Sequence, residues 1–250
     1  MDIVKYYDIT HGKHLICNPI SEAKLDELID LILLDRGQSV VDIACGKGEF
    51  LIRLAVKRGV RGLGVDRSHY YLEEARQRHA KSGGDVTFLE MDGAAFTPDG
   101  DDRFQMASCL GASFIYGGFS QTLRELASMV EEGGWVISGE PYWSREPPEE
   151  YLRALQCTRV DFGTHLENVR TGEDLGLDLS YTLVSSKDDW DRYEALQWYA
   201  ADLYRRAHPE DEDVPELLAQ LTSYRNAYLE WGRDTLGWAI YVFRRSSRFV

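Results

Sequence analysis

Cysteine is sparse and scattered: Cys17, Cys45, Cys109 and Cys157 are the four in 250 residues. No C-x-x-C pair and no histidine–cysteine cluster at ligand spacing occurs, which argues against a disulfide framework, a structural zinc or any other metal site. A reducing cytoplasm is the expected setting. Long apolar runs are missing too, none approaching the roughly 20 residues of a membrane-spanning helix. Met1 to Tyr7 (MDIVKYY) lacks the basic start and apolar run of a secretory leader. Basic charge is in deficit: 28 Lys plus Arg stand against 42 Asp plus Glu, for a net charge of -14. That balance opposes a phosphate-binding surface and lowers the expectation of a nucleic-acid partner. Repeats, low-complexity tracts and flexible linkers are absent as well. What remains is an ordinary globular composition, 44% apolar and 28% charged. The length suits one domain that buries about three-quarters of its unfolded surface.

Short β-branched runs alternate with segments of helical period. Ser39–Ala44, Gly62–Asp66, Val86–Met91, Phe104–Leu110 and Trp135–Gly139 read as buried parallel strands. Between them, Glu49–Lys57, Ser68–Lys81 and Gln121–Val130 carry apolar residues three and four apart. This alternation predicts right-handed βαβ units and a doubly wound α/β sheet covered on both faces. Ahead of the first strand, Ser21 caps an expected helix with Leu25, Leu28, Ile29, Ile32 and Leu33 on one stripe. The arm from Tyr6 to Ile20 shows no clear period. After the fifth strand, Glu146-Pro147-Pro148 opens a further helix with proline in its first turn. Leu177–Val184 reads as a sixth strand and Gly237–Phe243 as a closing one, with two long helices between them. The acidic loop at 209–213 is expected to be merely solvated. The economical organisation is a single domain over 1–250, with an arm and helix at 1–36, a core at 37–145 and a helical insertion at 187–235.

Chemistry concentrates in Val41-Asp42-Ile43-Ala44-Cys45-Gly46-Lys47-Gly48-Glu49-Phe50, which leaves a strand, turns through two glycines and enters a helix. Small residues there let the backbone pass close to a ligand, and the helix start offers free N–H groups to an anionic group. Asp66 closes the second strand, where a carboxylate accepts hydrogen bonds from a ribose diol. Asp92 follows the third strand, within reach of an adenine amine. Aspartate is common at strand ends and helix caps in any protein. Three acids at the carboxyl ends of successive strands nevertheless mark the edge where open α/β sheets bind ligands. A nicotinamide-dependent oxidoreductase is the weaker alternative, because G-x-G-x-x-G would need glycine at position 51 and the residue is Leu51.

At these residues the sequence resembles the class I S-adenosylmethionine-dependent methyltransferases, over roughly residues 35–140 and including the turn Glu132-Gly133-Gly134-Trp135. More narrowly it is similar to a group of small bacterial methyltransferases of unassigned substrate. The carriers of that likeness are His14 with Asn18-Pro19, Cys109–Gly118 (CLGASFIYGG) and Gly139-Glu140-Pro141-Tyr142-Trp143. The resemblance implies a Rossmann-like, seven-stranded, mostly parallel sheet with strand seven antiparallel. It also implies S-adenosylmethionine as cofactor, held by Asp42, Ala44, Cys45, Gly46, Gly48, Asp66, Arg67, Asp92, Gly93 and Cys109. Ala44 stands where the family usually has glycine, and it fits if its φ is negative.

Methyl transfer from a sulfonium is a direct displacement that asks the protein mainly to align three atoms and exclude water. The acceptor side is therefore the less legible half. Glu140 and Tyr142, with Trp143, are expected just past the fifth strand, and His11 and His14 on an arm folded over the cleft; Glu140, His14 and Tyr142 are the catalytic candidates. Cys45 and Cys109 read as small packing residues that can also touch the cofactor. Trp190, Tyr193, Trp198, Tyr199 and Tyr204 can form a lid or simply hold the insertion down. Neither an Asn/Asp-Pro-Pro-aromatic signature nor a Pro-Cys nucleophile occurs, which leaves a small-molecule oxygen, nitrogen or carbon as the expected acceptor. A non-catalytic cofactor-binding regulator remains the other reading.

Overall fold

The computed structural model describes residues 1–100 and 103–249. Seven strands form one sheet: β1 (Ser39–Ile43), β2 (Arg61–Asp66), β3 (Asp85–Glu90), β4 (Phe104–Leu110), β5 (Val130–Trp143), β6 (Leu177–Val184) and β7 (Leu236–Arg245), in the order β3-β2-β1-β4-β5-β7-β6. The first five run parallel, while β7 pairs antiparallel with both β5 and β6. The expected Rossmann-like fold, with helices inserted ahead of the last strand, is what the chain adopts. The carboxyl ends of β1, β2 and β4 meet at one edge, because the order reverses direction between β1 and β4.

Alternation along the strands sends neighbouring side chains to opposite faces. Val40, Ile137, Ile240 and Val242 pack under α2 (Glu22–Leu31) and α3 (Glu49–Arg58), against Leu25, Leu28, Ile29, Leu51 and Leu54. Val41, Ile43, Val136, Tyr241 and Phe243 face Leu123, Leu126 and Ala127 of α5 (Phe119–Met129). Ser21 caps α2 as expected, accepting from the Lys24 N–H at 3.3 Å. On the far side of β2, α4 (His69–Ser82) starts at a Ser68 cap.

Several expectations need correcting. The arm is not aperiodic: Ile3–His11 is a helix, α1, capped by Asp2, which accepts from the Val4 N–H. Its Tyr6 and Ile9 form a separate core cluster with Ala201 of α8 (Lys187–Ala207) and Leu217 and Leu221 of α9 (Val214–Ala227). Glu140, Tyr142 and Trp143 do not follow the fifth strand but belong to it, since β5 continues past Gly139 to pair Pro141 with Trp238. In α6 (Glu149–Leu155), Pro148 is the cap residue itself rather than part of the first turn. The acidic loop is tied down: Lys5 Nζ pairs with Asp211 at 2.9 Å and Asp213 at 2.6 Å, and the terminal amine with Glu216 at 2.6 Å. A helix not expected at all, α7 (His165–Asp174), is held at its start by a Thr164–Glu167 capping box.

Candidate active site

A crevice of about 360 Å³ opens at the carboxyl edge of the sheet. Asp42, Asp66 and Asp92 all line it, together with Ala44, Cys45, Gly46, Lys47, Arg67 and Gly93. Three acids spread over some 50 residues of sequence thus share one wall, as the strand order requires.

Each acid is fixed differently. Asp42 is buried at 3% exposure, and the strand register places Ser108 of β4 beside it. Ser108 donates to Asp42 Oδ1 at 2.6 Å. Burial, and secondarily the neighbouring Asp66, pushes the Asp42 carboxyl up to about 7 despite that hydroxyl. Asp66 accepts the Gly46 N–H at Oδ2 and the Ser68 N–H at Oδ1, both at 2.8 Å, so it braces the glycine turn against the start of α4. Burial raises its pKa while those N–H bonds oppose the rise. Asp92 is exposed, and it caps a short turn by accepting the Ala94 N–H at 3.0 Å.

In the turn itself, Gly46 has φ +55° with open space where a side chain would stand. Gly48 has φ +70° and is pinned by packing, since a Cβ would sit 2.7 Å from the Phe88 ring. Gly48 does not line the crevice but lets α3 start beside it. Ala44 departs from expectation: its φ is +55°, so a side chain occupies the left-handed region that favours glycine. The residue fits because a methyl group is the smallest strain a non-glycine can bring. Cys45 reaches the crevice, whereas Cys109 is fully buried within β4 and does not line it. Arg67 is exposed at the rim.

The three catalytic candidates are not brought into the crevice. Glu140 points from β5 toward the α5 face, 3% exposed, hydrogen-bonded with Ser113, its Oε2 without a partner among the described residues. Burial pushes it up to about 7. Tyr142 lies on the same strand face, its ring 5.0 Å from that of His165. His14 lies behind Tyr193, with Nε2 2.9 Å from the Tyr193 carbonyl. The physical reason is the length of β5, which keeps Glu140 and Tyr142 inside the sheet pairing.

Other side chains take their place. Tyr7 and His11 of α1, Cys17, Asn18, Tyr71 of α4, Phe114 and Tyr193 of α8 line the crevice. Of the five insertion aromatics, Tyr193 alone is among the lining residues; Trp198 and Tyr204 pack on the α1 cluster. Lys47 was hidden in the sequence by the glycines around it. Its buried ammonium donates to the His11 carbonyl at 3.0 Å and pairs with Glu74 at 3.0 Å, joining the turn to α1 and α4. Among the described residues no group of three acids, histidines or cysteines can hold a metal ion, and no helix is long and apolar enough to cross a membrane.

A reversed seventh strand in this order, with acid, glycine turn, acid and acid along one crevice, defines an adenosyl-binding α/β protein of the methyltransferase type. Residues 40–134 match the family model described as a methyltransferase domain. The chain is 31% identical over 247 residues to the uncharacterized protein YjhP of Escherichia coli strain K12, covering 97% of this chain and 98% of that one. A structure described as an S-adenosylmethionine-dependent methyltransferase from Geobacter sulfurreducens with S-adenosylhomocysteine superimposes with a TM-score of 0.91 at 34% identity, covering 98% and 99% of the two chains. A Thiobacillus denitrificans structure of the same description gives 0.90 at 34% identity, covering 98% and 100%. The chain belongs to the S-adenosylmethionine-dependent methyltransferases.

The residues present fit that cofactor on their own chemistry. Asp42 is a buried acid whose neighbours are a hydroxyl and a second acid, an environment that a cationic ligand completes.

Proposed function

We propose that the protein transfers the methyl group of S-adenosylmethionine to a small-molecule oxygen, nitrogen or carbon by direct displacement. The observation that supports this reading is the convergence of Asp42, Asp66 and Asp92 on one crevice beside an open glycine turn. Asp42 would face the methionine ammonium. Asp66 would accept from the ribose hydroxyls with the lone pairs that Gly46 and Ser68 leave free. Asp92 and the buried Gly93 would border the adenine, with Ala44, Cys45 and Gly46 along the methionine chain and Arg67 at the rim.

Bound there, the cofactor supplies a methyl group already activated on a sulfonium. The chain's part is alignment and exclusion of water. The apolar side chains Leu15, Ile16, Leu25 and Leu110 narrow the crevice on the side of α1, where an acceptor would enter. A crevice of about 360 Å³ suits a small acceptor better than a polymer, and the net charge of -14 opposes a nucleic acid. The four free thiols suit a reducing cytoplasm.

Calorimetric titration with S-adenosylmethionine, S-adenosylhomocysteine and NADH tests the donor. Saturable binding of the first two and none of NADH is expected. Asp66→Ala is expected to lower S-adenosylhomocysteine affinity at least tenfold, roughly the worth of a charge-assisted hydrogen bond to a ribose. Unchanged affinity in that variant would remove the ribose assignment.

A further inference from the structure

The side of the crevice under α1 has a polarity that can be worked out proton by proton. Thr10 spends its hydroxyl proton on the Tyr6 carbonyl at 2.9 Å, so toward His11 Nδ1, 3.1 Å away, its oxygen can only accept. The Tyr7 carbonyl, 3.2 Å from the same nitrogen, also only accepts. Nδ1 of His11 therefore carries the ring proton, and Nε2 is bare. Burial, with His14 and Lys47 close by, holds His11 down to about 3, so the ring is neutral at working pH. The Tyr193 hydroxyl, 2.8 Å from Nε2, must then donate to it. With its proton committed, the Tyr193 oxygen offers the crevice lone pairs alone. Tyr71 is in the same condition, donating to the Tyr7 carbonyl at 3.2 Å. So is Asn18: its amide N–H groups reach the carbonyls of Leu110 at 3.0 Å and Cys17 at 3.1 Å, which leaves its oxygen as the free end. Lys47, the buried cation on this side, is engaged by the His11 carbonyl and Glu74, and Arg67 stands exposed at the rim. Around these acceptors stand Leu15, Ile16, Leu25, Phe50 and Leu110, with the exposed rings of Tyr7 and Phe114 also on the crevice.

We infer that this wall selects acceptors arriving as hydrogen-bond donors, a hydroxyl or an amine, and that Tyr193, oriented by His11, is the group that reads them. The inference rests on the methyl-transfer reading and narrows it from oxygen, nitrogen or carbon to the two that bear a polar hydrogen. A ligand offering only lone pairs, such as an ether, meets like poles and leaves the lone pairs of the Tyr193 oxygen unmatched. His11 is a positioning residue, acting through Tyr193 by fixing the direction of its proton.

Phenol and anisole, in which a methyl group replaces that hydrogen, are the probes, titrated by NMR with S-adenosylhomocysteine at saturation. The wild type is expected to bind phenol about tenfold more tightly than anisole, the scale of one hydrogen bond in a buried site. Tyr193→Phe should erase the difference while S-adenosylhomocysteine affinity stays within about twofold. His11→Leu should also erase it, by freeing the Tyr193 hydroxyl to turn and donate to anisole. His11→Gln, whose carbonyl can take the same proton, should restore it. Nitrogen-15 spectra of the wild type should show His11 protonated at Nδ1 and bare at Nε2. Equal affinity for the two probes, including none for either, overturns the inference, as does the reverse tautomer or a Tyr193→Phe variant that keeps the preference. The methyl-donor reading survives those results as long as S-adenosylhomocysteine binds.

Discussion

Ala44 holds a left-handed backbone at the point where the first strand becomes the ligand turn, and its side chain is a single unbranched methyl group. Ala44→Val, β-branched at positive φ, is expected to cost roughly 2 kcal/mol and to weaken S-adenosylhomocysteine binding. Ala44→Gly relieves the strain but gains freedom when unfolded, so its stability should change by less than about 1 kcal/mol. Denaturant melts and calorimetry on both variants check this. Asp42 supplies a pH test. Its folded value, about 7, lies above that of an unfolded aspartate, so its contribution to stability is full below the unfolded value and lost as pH rises through 7. A ligand ammonium reverses the preference by favouring the carboxylate. Affinity for S-adenosylhomocysteine should therefore climb between pH 5.5 and 7.5, by up to about tenfold per unit below the midpoint, with proton release on binding. Asp42→Asn should flatten that profile. Glu140 is also pushed up to about 7, but it lies outside the crevice, so Glu140→Gln should leave the profile intact.

Elements were legible in proportion to the regularity of their burial. The strands β1, β2 and β4 could be read because both faces are covered and their apolar runs are continuous. The shared edge could be read for the same reason, since Asp42 and Asp66 sit at the carboxyl ends of two of those strands, with Asp92 just past β3. Helix α1 could not, because its buried residues Tyr6, Ile9, Thr10 and His11 mix ring, aliphatic and polar types and follow no apolar stripe. The far half of β5 was obscured by Pro141, which cannot donate to a ladder and so reads as a strand end. Those two misreadings account for the acceptor side: Glu140 and Tyr142 were placed outside the sheet, and the residues that α1 and α8 carry into the crevice went unseen apart from His11 and Tyr193. Lys47 joins these parts. Lys47→Met, keeping the length and losing the charge, should leave the His11 carbonyl unpaired and loosen α1 from the glycine turn. Faster hydrogen exchange confined to residues 3–14, with β1 and β4 unchanged, is the expected signature.

The whole molecule places its earliest helix and its late insertion over the same edge of the sheet. Helices α1, α8 and α9 share a small core of their own, reinforced by Lys5 with Asp211 and Asp213. A ligand beneath that roof binds the folded chain alone and stabilises it by mass action. At one hundred times its dissociation constant, S-adenosylhomocysteine should add about 2.7 kcal/mol, which for a chain of this size raises Tm by about 5–10 °C. A thermal scan without that rise would argue that the crevice is no binding site.

Lys47 belongs to the glycine turn by its backbone, and its ammonium grips the carbonyl of the histidine that aims Tyr193. A ligand that shifts the turn would shift the same tether, and loading of the donor would then prepare the Tyr193 side. Steady-state kinetics should accordingly follow a compulsory order, with the sulfonium compound entering first and its thioether leaving last.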